Sequence, residues 1–86
     1  MNPRVIAVEY KSKYKIILTF SNKEVKEFDV SSYLDYPVYS PLKDDSFCQK
    51  VQVYNGTVIW NDTIDFDPDT LYMESKQLAV VVLEAE

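Results

Sequence analysis

Alternating hydrophobic and polar positions in the first third of the chain predict an antiparallel meander of three strands. Residues 14–20 show the clearest alternation, because every second side chain is aromatic or aliphatic and so falls on one face of a strand. Residues 5–10 and 24–30 are also rich in β-branched and hydrophobic side chains. The polar turns between these segments, at residues 11–13 and 21–23, are short enough to favour antiparallel pairing.

A tight hairpin centred on Asn55-Gly56 is predicted in the second half of the chain. Gly56 is the one glycine of the sequence, and Asn-Gly suits a type I′ turn, in which both central residues adopt positive φ. Val58 and Trp60 share a face of the second hairpin strand, so we expect both side chains to enter the core. A Trp60 ring that faces outward and stacks on a ligand is the alternative interpretation.

Capping residues and prolines predict short helices. Ser31 is a suitable N-cap for one helical turn at residues 31–34. Ser40-Pro41 predicts the start of a second helix, with serine as the cap and proline at the first helical position. Asp67-Pro68 repeats this arrangement and predicts a helix at residues 68–73.

These elements together predict an α+β fold. We expect a mainly antiparallel sheet of five or six short strands, made of the N-terminal meander and the Asn-Gly hairpin, with two or three short helices. Residues 1–73 are assigned to this domain, and residues 74–86 to a C-terminal tail. The apolar run at residues 78–83 fits either a last strand or a helix that packs on the domain. The expected core residues are Phe20, Phe28, Phe47, Trp60 and Leu71.

The composition is that of one ordered domain. Of the 86 residues, 47% are hydrophobic and 14% aromatic, which is too many for a disordered chain. The single cysteine, Cys48, excludes an intrachain disulfide and favours a reducing environment. The apolar runs are too short for a secretory signal or a membrane span. We therefore expect a cytoplasmic protein without membrane contact.

The net charge of −5 is unevenly distributed. Residues 1–43 carry seven basic and five acidic side chains, whereas residues 44–86 carry two basic and nine acidic ones. Because binding to phosphates needs a basic face, we expect no direct nucleic acid binding, and the acidic half suits a basic protein partner. Lys11, Lys13 and Lys15 form a small basic tip, which either contacts phosphate or, as we expect, protects strand edges from aggregation.

The chemistry available to an enzyme is restricted. Histidine is absent, which excludes Ser-His-Asp and Cys-His catalysis and most zinc sites. We expect Cys48 to be buried and unreactive, because Asp44 and Asp45 lie nearby in the sequence and a reactive thiol needs a positively charged neighbour. The sequence therefore predicts a protein that is not an enzyme and has no cofactor.

An acidic segment provides the alternative to this prediction. It contains four aspartates, Asp62, Asp65, Asp67 and Asp69. The last three match the first ligand positions of a calcium loop, but Thr70 stands where that loop needs glycine and Lys76 where it needs glutamate. We therefore expect no metal site and expect Asp67 to cap a helix. A small-ligand site or a carboxylate-based enzyme site on the turn from Asp62 to Asp69 remains the alternative.

Three tyrosines in the middle connection have two interpretations. Tyr33, Tyr36 and Tyr39 lie outside the predicted strands, so strand alternation does not explain them. Either they cover one edge of the core, or they form a surface that binds a partner, because tyrosine is enriched at protein interfaces.

The order and spacing of several short motifs resemble a known family. The motifs are Pro3-Arg4-Val5, Val38-Tyr39-Ser40-Pro41-Leu42, Thr57-Val58-Ile59-Trp60, Pro68 and Leu71-Tyr72. Over about residues 3–73 the chain is similar to the small bacterial domain-of-unknown-function family 2442. Members of that family have a glycine or similar residue after the second strand, where this chain has Asn22-Lys23.

The resemblance implies a small α+β domain without an established activity. Similar domains occur alone or in front of a helix-turn-helix domain, and beside other small proteins in arrangements that look like toxin–antitoxin pairs. By this association we expect a non-catalytic interaction or regulatory domain, the antitoxin-like member of a two-protein module, whose partner is the neighbouring gene product. We expect a monomer or weak dimer. The expected contact residues are Tyr33, Tyr36, Tyr39, Asp62 and Asp65.

Overall fold

Two antiparallel sheets form the molecule in the computed structural model, which describes residues 2–61 and 64–79. Their strands are β1 (Val5–Ser12), β2 (Lys15–Phe20), β3 (Val25–Asp29), β4 (Gln52–Tyr54), β5 (Thr57–Asn61), β6 (Ile64–Asp65) and β7 (Lys76–Ala79). Sheet A has the order β1-β2-β3-β7, and sheet B has the order β4-β5-β6. The predicted α+β fold with antiparallel pairing is confirmed, but the strands divide between two sheets rather than forming one sheet of five or six strands.

The inner face of sheet A follows the alternation of β2. Ile16, Leu18 and Phe20 are fully buried. Phe28 of β3 lies opposite Ile16 and is also buried. Because antiparallel residues that lie opposite each other share a face, the period of two in β2 fixes which side of β3 enters the core.

The first turn lies nearer to β2 than the polar pattern predicts. β1 continues to Ser12, and the turn consists of Lys13 and Tyr14, whose φ angles are 49° and 69°. The Tyr14 N–H donates to the Tyr10 hydroxyl (3.2 Å), and the Tyr14 hydroxyl donates to the Lys43 carbonyl (2.5 Å). One local and one tertiary hydrogen bond thus hold the tyrosine in a conformation that its local preference disfavours.

The second turn also contains a residue with positive φ. Lys23 has a φ of 73°, close to the position at which the resembled family has glycine or a similar residue. The side chain of Asn22 closes this turn, because its Oδ1 accepts a hydrogen bond from the Glu24 N–H (3.0 Å). This hydrogen bond between a side chain and the backbone helps to stabilise a turn whose positive φ would otherwise favour glycine.

The first helical turn of the connection between the sheets begins one residue earlier than predicted. It is the 3₁₀ helix Val30–Tyr33, and Asp29 caps it in place of Ser31. The Asp29 Oδ1 accepts a hydrogen bond from the Ser31 N–H (2.9 Å). Aspartate is as good a cap as serine. Of the two, Asp29 comes first in the chain, and the helix begins directly after it.

The predicted helix start at Ser40-Pro41 is wrong. These residues lie inside a second 3₁₀ helix, Pro37–Lys43, in which Pro37 occupies the first turn. Because Pro37 already supplies the fixed φ that favours a helix start, the helix begins upstream of Ser40. The α-helix that follows, α1 (Asp45–Cys48), is capped by Asp44, whose Oδ1 accepts from the Ser46 N–H (3.0 Å).

The start of α2 (Pro68–Glu74) agrees with the prediction. Asp67 caps it, accepting a hydrogen bond from the Thr70 N–H (3.1 Å), and Pro68 occupies the first turn. Lys26 joins α2 to sheet A, since its Nζ lies 3.8 Å from the Tyr72 ring centroid and donates to the Tyr72 carbonyl (2.7 Å). This cation–π contact places a lysine on the inner face of the sheet.

Sheet B is attached to sheet A at the predicted Asn-Gly hairpin. Asn55 and Gly56 have φ angles of 50° and 80°, as a type I′ turn requires. The Val5 N–H donates to the Gly56 carbonyl (2.9 Å). A Cβ on Gly56 would lie only 2.8 Å from Cδ and 3.0 Å from Cβ of Arg4. The turn therefore needs glycine both for its φ and for the close approach of β1.

The core lies between the two sheets and the helices. Phe20, Phe28, Trp60 and Leu71 are buried, and Phe47 is partly buried and packs against them. The Trp60 Nε1 donates to the carbonyl of Cys48 (2.8 Å), so the polar atom of the buried ring has a partner.

The chain returns to sheet A after α2. Residues Lys76–Ala79 form β7, which pairs with β3. The predicted last element at residues 78–83 therefore begins within a strand, and residues 80–83 lie outside the described residues. Within the described part of the chain, no helix has the length and hydrophobicity needed to cross a membrane.

Replacement of Gly56 by alanine tests the junction between the sheets. We expect Gly56→Ala to lower the free energy of unfolding by about 2 kcal/mol, because it adds a strained φ and a contact with Arg4. Denaturant unfolding measures this loss. In the Arg4→Ala background the loss should be smaller, because the contacts with Cγ and Cδ are gone and only the one with Cβ remains; an equal loss in both backgrounds would contradict the steric part of the explanation.

Truncation of Trp60 tests whether its ring belongs to the core. The ring is 4% exposed, so we expect Trp60→Ala to lower the free energy of unfolding by about 3–5 kcal/mol. Trp60→Phe should cost about 1–3 kcal/mol, since it keeps an aromatic ring but leaves the Cys48 carbonyl without its donor. A loss below about 1 kcal/mol for the alanine variant would favour an exposed ligand platform instead.

Candidate functional site

The outer face of sheet B combines aromatic, aliphatic and acidic side chains. Ile59 lies opposite Gln52 on one neighbouring strand and opposite Asp65 on the other, so these side chains point to the same side of the sheet. Tyr54, Ile59, Asn61 and Asp65 line a depression of about 230 Å³. Asp65 is exposed, and Tyr54 is 55% exposed.

Tyr39 connects this face to the middle connection. Its hydroxyl donates to the Asp65 carbonyl (3.2 Å), and its ring stacks on Phe66 with 4.5 Å between centroids and an interplanar angle of 1°. The Tyr39 N–H in turn donates to the carbonyl of Tyr36 (3.0 Å), whose side chain is 57% exposed. We use the name sheet B surface for the set Tyr36, Tyr54, Ile59 and Asp65.

Tyr33 covers the core. Its ring stacks against Phe28 with 5.5 Å between centroids, and its hydroxyl donates to Glu74. Burial of the ring, followed by this bond, raises the pKa of Tyr33 to about 12. The hydroxyl is therefore a neutral donor at physiological pH and supplies no phenolate base.

The structure separates the five predicted contact residues. Tyr36 and Asp65 are exposed, whereas Tyr33 and Tyr39 are only partly exposed and pack against the core. Asp62 lies outside the described residues. Both interpretations of the tyrosine cluster thus apply, at different positions: Tyr33 and Tyr39 cover the core edge, and Tyr36 faces outward.

Sequence reasoning missed Tyr54 and Ile59 as surface residues. The signal was present in the hairpin, because the tight turn at Asn55-Gly56 places Tyr54 opposite Thr57. Alternation from the inward-facing Val58 and Trp60 then assigns Ile59, and with it Tyr54, to the other side of sheet B, where Thr57 alone is covered and donates its hydroxyl to the Phe66 carbonyl. The alternation in this hairpin was applied only to the side chains that face the core.

The acidic segment divides between structural and surface positions. Asp67 caps α2, and Asp69 accepts a hydrogen bond from the Asn2 side chain (3.4 Å). Phe66, between the two exposed residues Asp65 and Asp67, is buried. In the described part of the chain, no group of three or more His, Cys, Asp or Glu residues is arranged to hold a metal ion.

A second depression, of about 600 Å³, lies at the basic tip. Its lining residues are Tyr10, Lys11, Lys13, Tyr14, Asp45 and Gln49. Two of its polar side chains bond to the same carboxylate, because the Tyr10 hydroxyl and the Gln49 amide (2.9 Å) both donate to Asp45. Burial and the bond to Asp45 raise the pKa of Tyr10, which keeps the hydroxyl protonated. These bonds pair the polar atoms of Tyr10, Asp45 and Gln49 with one another, and Lys11 pairs with Glu27 (3.4 Å).

The thiol of Cys48 is in a poor position for nucleophilic chemistry. Its side chain is fully buried. Burial, together with the negative charge of Asp45, raises the pKa of Cys48 to about 11. Because the thiolate is the reactive form, this environment makes the thiol a small core side chain.

The absence of a divalent-metal site stays a prediction for the whole acidic segment. We expect calorimetric titration with calcium, magnesium and manganese to show no site tighter than millimolar, because Asp67 and Asp69 already accept hydrogen bonds. Asp65→Asn serves as the control variant, since it removes the outward-facing carboxylate. A stoichiometric micromolar site that this variant loses would contradict the expectation.

Comparison with known proteins places the chain in one family. The family model described as a protein of unknown function, DUF2442, matches residues 5–77. Neither the curated proteins nor the solved structures contain a match. The matched range extends from the first residue of β1 into β7 and thus includes both sheets. Because the match covers well over half of its length, the chain belongs to the DUF2442 family.

Proposed function

We propose that the protein is a non-catalytic interaction domain that binds a protein partner through the sheet B surface. The observation that carries this proposal is the depression in which the exposed Tyr54 lies beside the exposed carboxylate of Asp65, with the exposed Tyr36 joined to Asp65 through the hydrogen bonds of Tyr39. Aromatic side chains that are exposed in the free protein become the buried anchors that dominate interface energies. The surface lies on a sheet whose other face is core, so little order is lost on binding.

The proposed partner presents a lysine or arginine flanked by apolar side chains. Asp65 supplies a charge for that cation, while Tyr54 and Ile59 supply apolar surface in the same depression. The excess of acidic residues in the second half of the chain would speed the encounter with a basic surface and disfavour nucleic acid. Such a partner gains both a charge pair and hydrophobic burial.

The biological setting follows from the family resemblance. We propose that the partner is the neighbouring gene product and that this protein is the antitoxin-like or regulatory member of the pair. A reducing cytoplasm suits the buried free thiol of Cys48. The non-catalytic assignment is supported by the raised pKa of Tyr10, Tyr33 and Cys48, because it disfavours the phenolate or thiolate that a base or nucleophile would need.

The test is complex formation with the neighbouring gene product. Joint replacement of Tyr36→Ser, Tyr54→Ser and Asp65→Asn should raise the dissociation constant at least about 30-fold, since anchor side chains contribute about 2 kcal/mol or more. Raising the salt concentration should weaken the native complex and affect the variant less, because the variant lacks the carboxylate. Isothermal titration calorimetry measures both effects.

A control removes two exposed non-polar side chains and one carboxylate elsewhere. Joint replacement of Ile6→Ser, Met73→Ser and Glu9→Gln changes two exposed apolar side chains and one exposed carboxylate away from the surface. This control should bind as the native protein does. Equal binding by both triple variants, or binding of the isolated protein to promoter DNA at physiological salt in a mobility-shift assay, would overturn the proposal.

A small-ligand or carboxylate enzyme site is the second candidate. The depression beside Asp65 favours it, because a carboxylate and the Asn61 amide line the same cavity of about 230 Å³. The exposed position of Asp65 argues for the interaction domain, since ligand and active sites generally lie in concave pockets that bury most of the ligand. The metal titration described above distinguishes a cation-dependent version of this candidate from partner binding.

A further inference from the structure

The turn at Asn55-Gly56 contains a chemically labile dipeptide. The backbone nitrogen that follows an asparagine can attack the side-chain amide, and glycine hinders this attack least because it has no Cβ. The sequence contains Asn-Gly once, at the tip of the β4–β5 hairpin, where Asn55 is exposed. The Gly56 N–H donates no hydrogen bond to another residue in the described part of the chain. The attacking nitrogen is therefore not engaged elsewhere.

The native turn nevertheless keeps the two reacting groups apart. Ring closure needs the Gly56 nitrogen and the Asn55 side chain on the same side of the Cα–C bond of Asn55. A type II′ turn has this geometry, with a ψ of about −120° at its first central residue, whereas a type I′ turn has about +30° there. The φ angles of 50° and 80° at Asn55 and Gly56 are those of type I′. The nitrogen and the side chain thus point to nearly opposite sides.

One peptide flip converts the native turn into the reactive one. Types I′ and II′ share a positive φ at the first central residue and differ in the orientation of the peptide group that follows it. The flip makes the φ of the second central residue negative, which glycine adopts as readily as a positive value. Gly56 therefore both permits the flip and supplies the least hindered nitrogen.

Arg4 holds this peptide group in its native orientation. Its Nη1 donates to the Asn55 carbonyl (3.3 Å), which belongs to the peptide group that has to turn. Carbon atoms of the same side chain lie 2.8–3.2 Å from the position that a Cβ on Gly56 would take. The Gly56 carbonyl belongs to the next peptide group and accepts from the Val5 N–H (2.9 Å). The flip therefore breaks the Arg4 bond and spares the Val5 bond.

We propose that Asn55 is a site of spontaneous deamidation and that the hydrogen bond of Arg4 controls the rate of this reaction in the folded protein. The Gly56 nitrogen attacks Cγ of Asn55, and a new N–C bond forms. The bond between Cγ and Nδ2 breaks, and ammonia leaves with the proton of the Gly56 N–H. Water then opens the succinimide ring to aspartate or isoaspartate. Neither step needs an enzyme, a cofactor or an oxidant.

Isoaspartate at position 55 would disrupt the tip of the hairpin. The main chain would run through Cβ and Cγ of this residue, which adds a methylene group to a turn of two residues. The pairing of Tyr54 with Thr57 depends on the length of that turn. Because Tyr54 lines the depression of the sheet B surface, the modification would also weaken partner binding, an effect that rests on the proposed function.

Peptide mapping by mass spectrometry, after incubation at physiological pH and temperature, tests the site. Asn55 should convert to aspartate and isoaspartate faster than the other three asparagines of the chain. Arg4→Ala should raise the rate at Asn55 about threefold or more, because the flipped turn no longer costs a hydrogen bond. Lys15→Ala is the matched control, since it removes another exposed cation of sheet A, and it should leave the rate unchanged.

Two further measurements separate the local flip from unfolding of the whole domain. Ile16→Val shortens a fully buried side chain of β2 and so destabilises the fold without changing the turn. It should leave the rate in the native protein unchanged. In urea that unfolds both proteins, the wild type and Arg4→Ala should react at equal rates, because residues 4 and 55 meet only in the fold.

The possible outcomes decide each part of the proposal. Faster conversion of any other asparagine would overturn the assignment of the site. A native rate that Arg4→Ala leaves unchanged, or that Ile16→Val raises equally, would contradict control by Arg4. Undiminished binding of the purified isoaspartate form to the neighbouring gene product would remove the link to partner binding. Because peptide mapping needs no partner, failure of this inference and failure of the proposed function are distinguishable.

Discussion

Phe66 holds the parts of this domain together. Its ring packs against Phe28 of sheet A, against Trp60 of sheet B and, in the middle connection, against Tyr33 and Tyr39, with centroids 4.5–5.7 Å apart. Its carbonyl accepts the hydroxyl of buried Thr57. Side chains along an extended segment point alternately to its two faces. The inward position of Phe66 therefore directs its neighbour Asp65 outward and also sets the position of Asp67, which caps α2.

Local chemistry determined the elements that the sequence predicted correctly. Asn55-Gly56 and Asp67-Pro68 each contain their own structural signal, a positive-φ pair in one case and a cap followed by proline in the other. The turn at Lys13-Tyr14 was not predictable in this way, because the hydroxyls of Tyr10 and Tyr14 around it are held by distant partners, Asp45 and the Lys43 carbonyl. The division of the strands between two sheets was not predictable either. It depends on a tertiary contact, the approach of β1 to Gly56, and such a contact produces no periodic pattern in the sequence.

The candidate site was predictable in part. Tyr36 and Asp65 were identified from tyrosine enrichment and acidic clustering, and both are exposed. Tyr33 and Tyr39 share the same spacing of three residues, but composition does not reveal that their rings meet Phe28 and Phe66. The assembly of the surface from the middle connection and sheet B depends on long-range packing, which a search for nearby residues in the sequence does not detect.

The scarcity of glycine has a consequence for how the chain folds. Lys13, Tyr14 and Lys23 occupy left-handed conformations in the two turns of the meander, and such residues favour other conformations in an unfolded chain. These two turns are therefore poor initiation sites, and the strands of sheet A must gain most of their contacts before the turns become stable. Asn55-Gly56 has the opposite character, since its turn is locally favoured. We therefore expect the later hairpin to form before the N-terminal meander, which then condenses onto it.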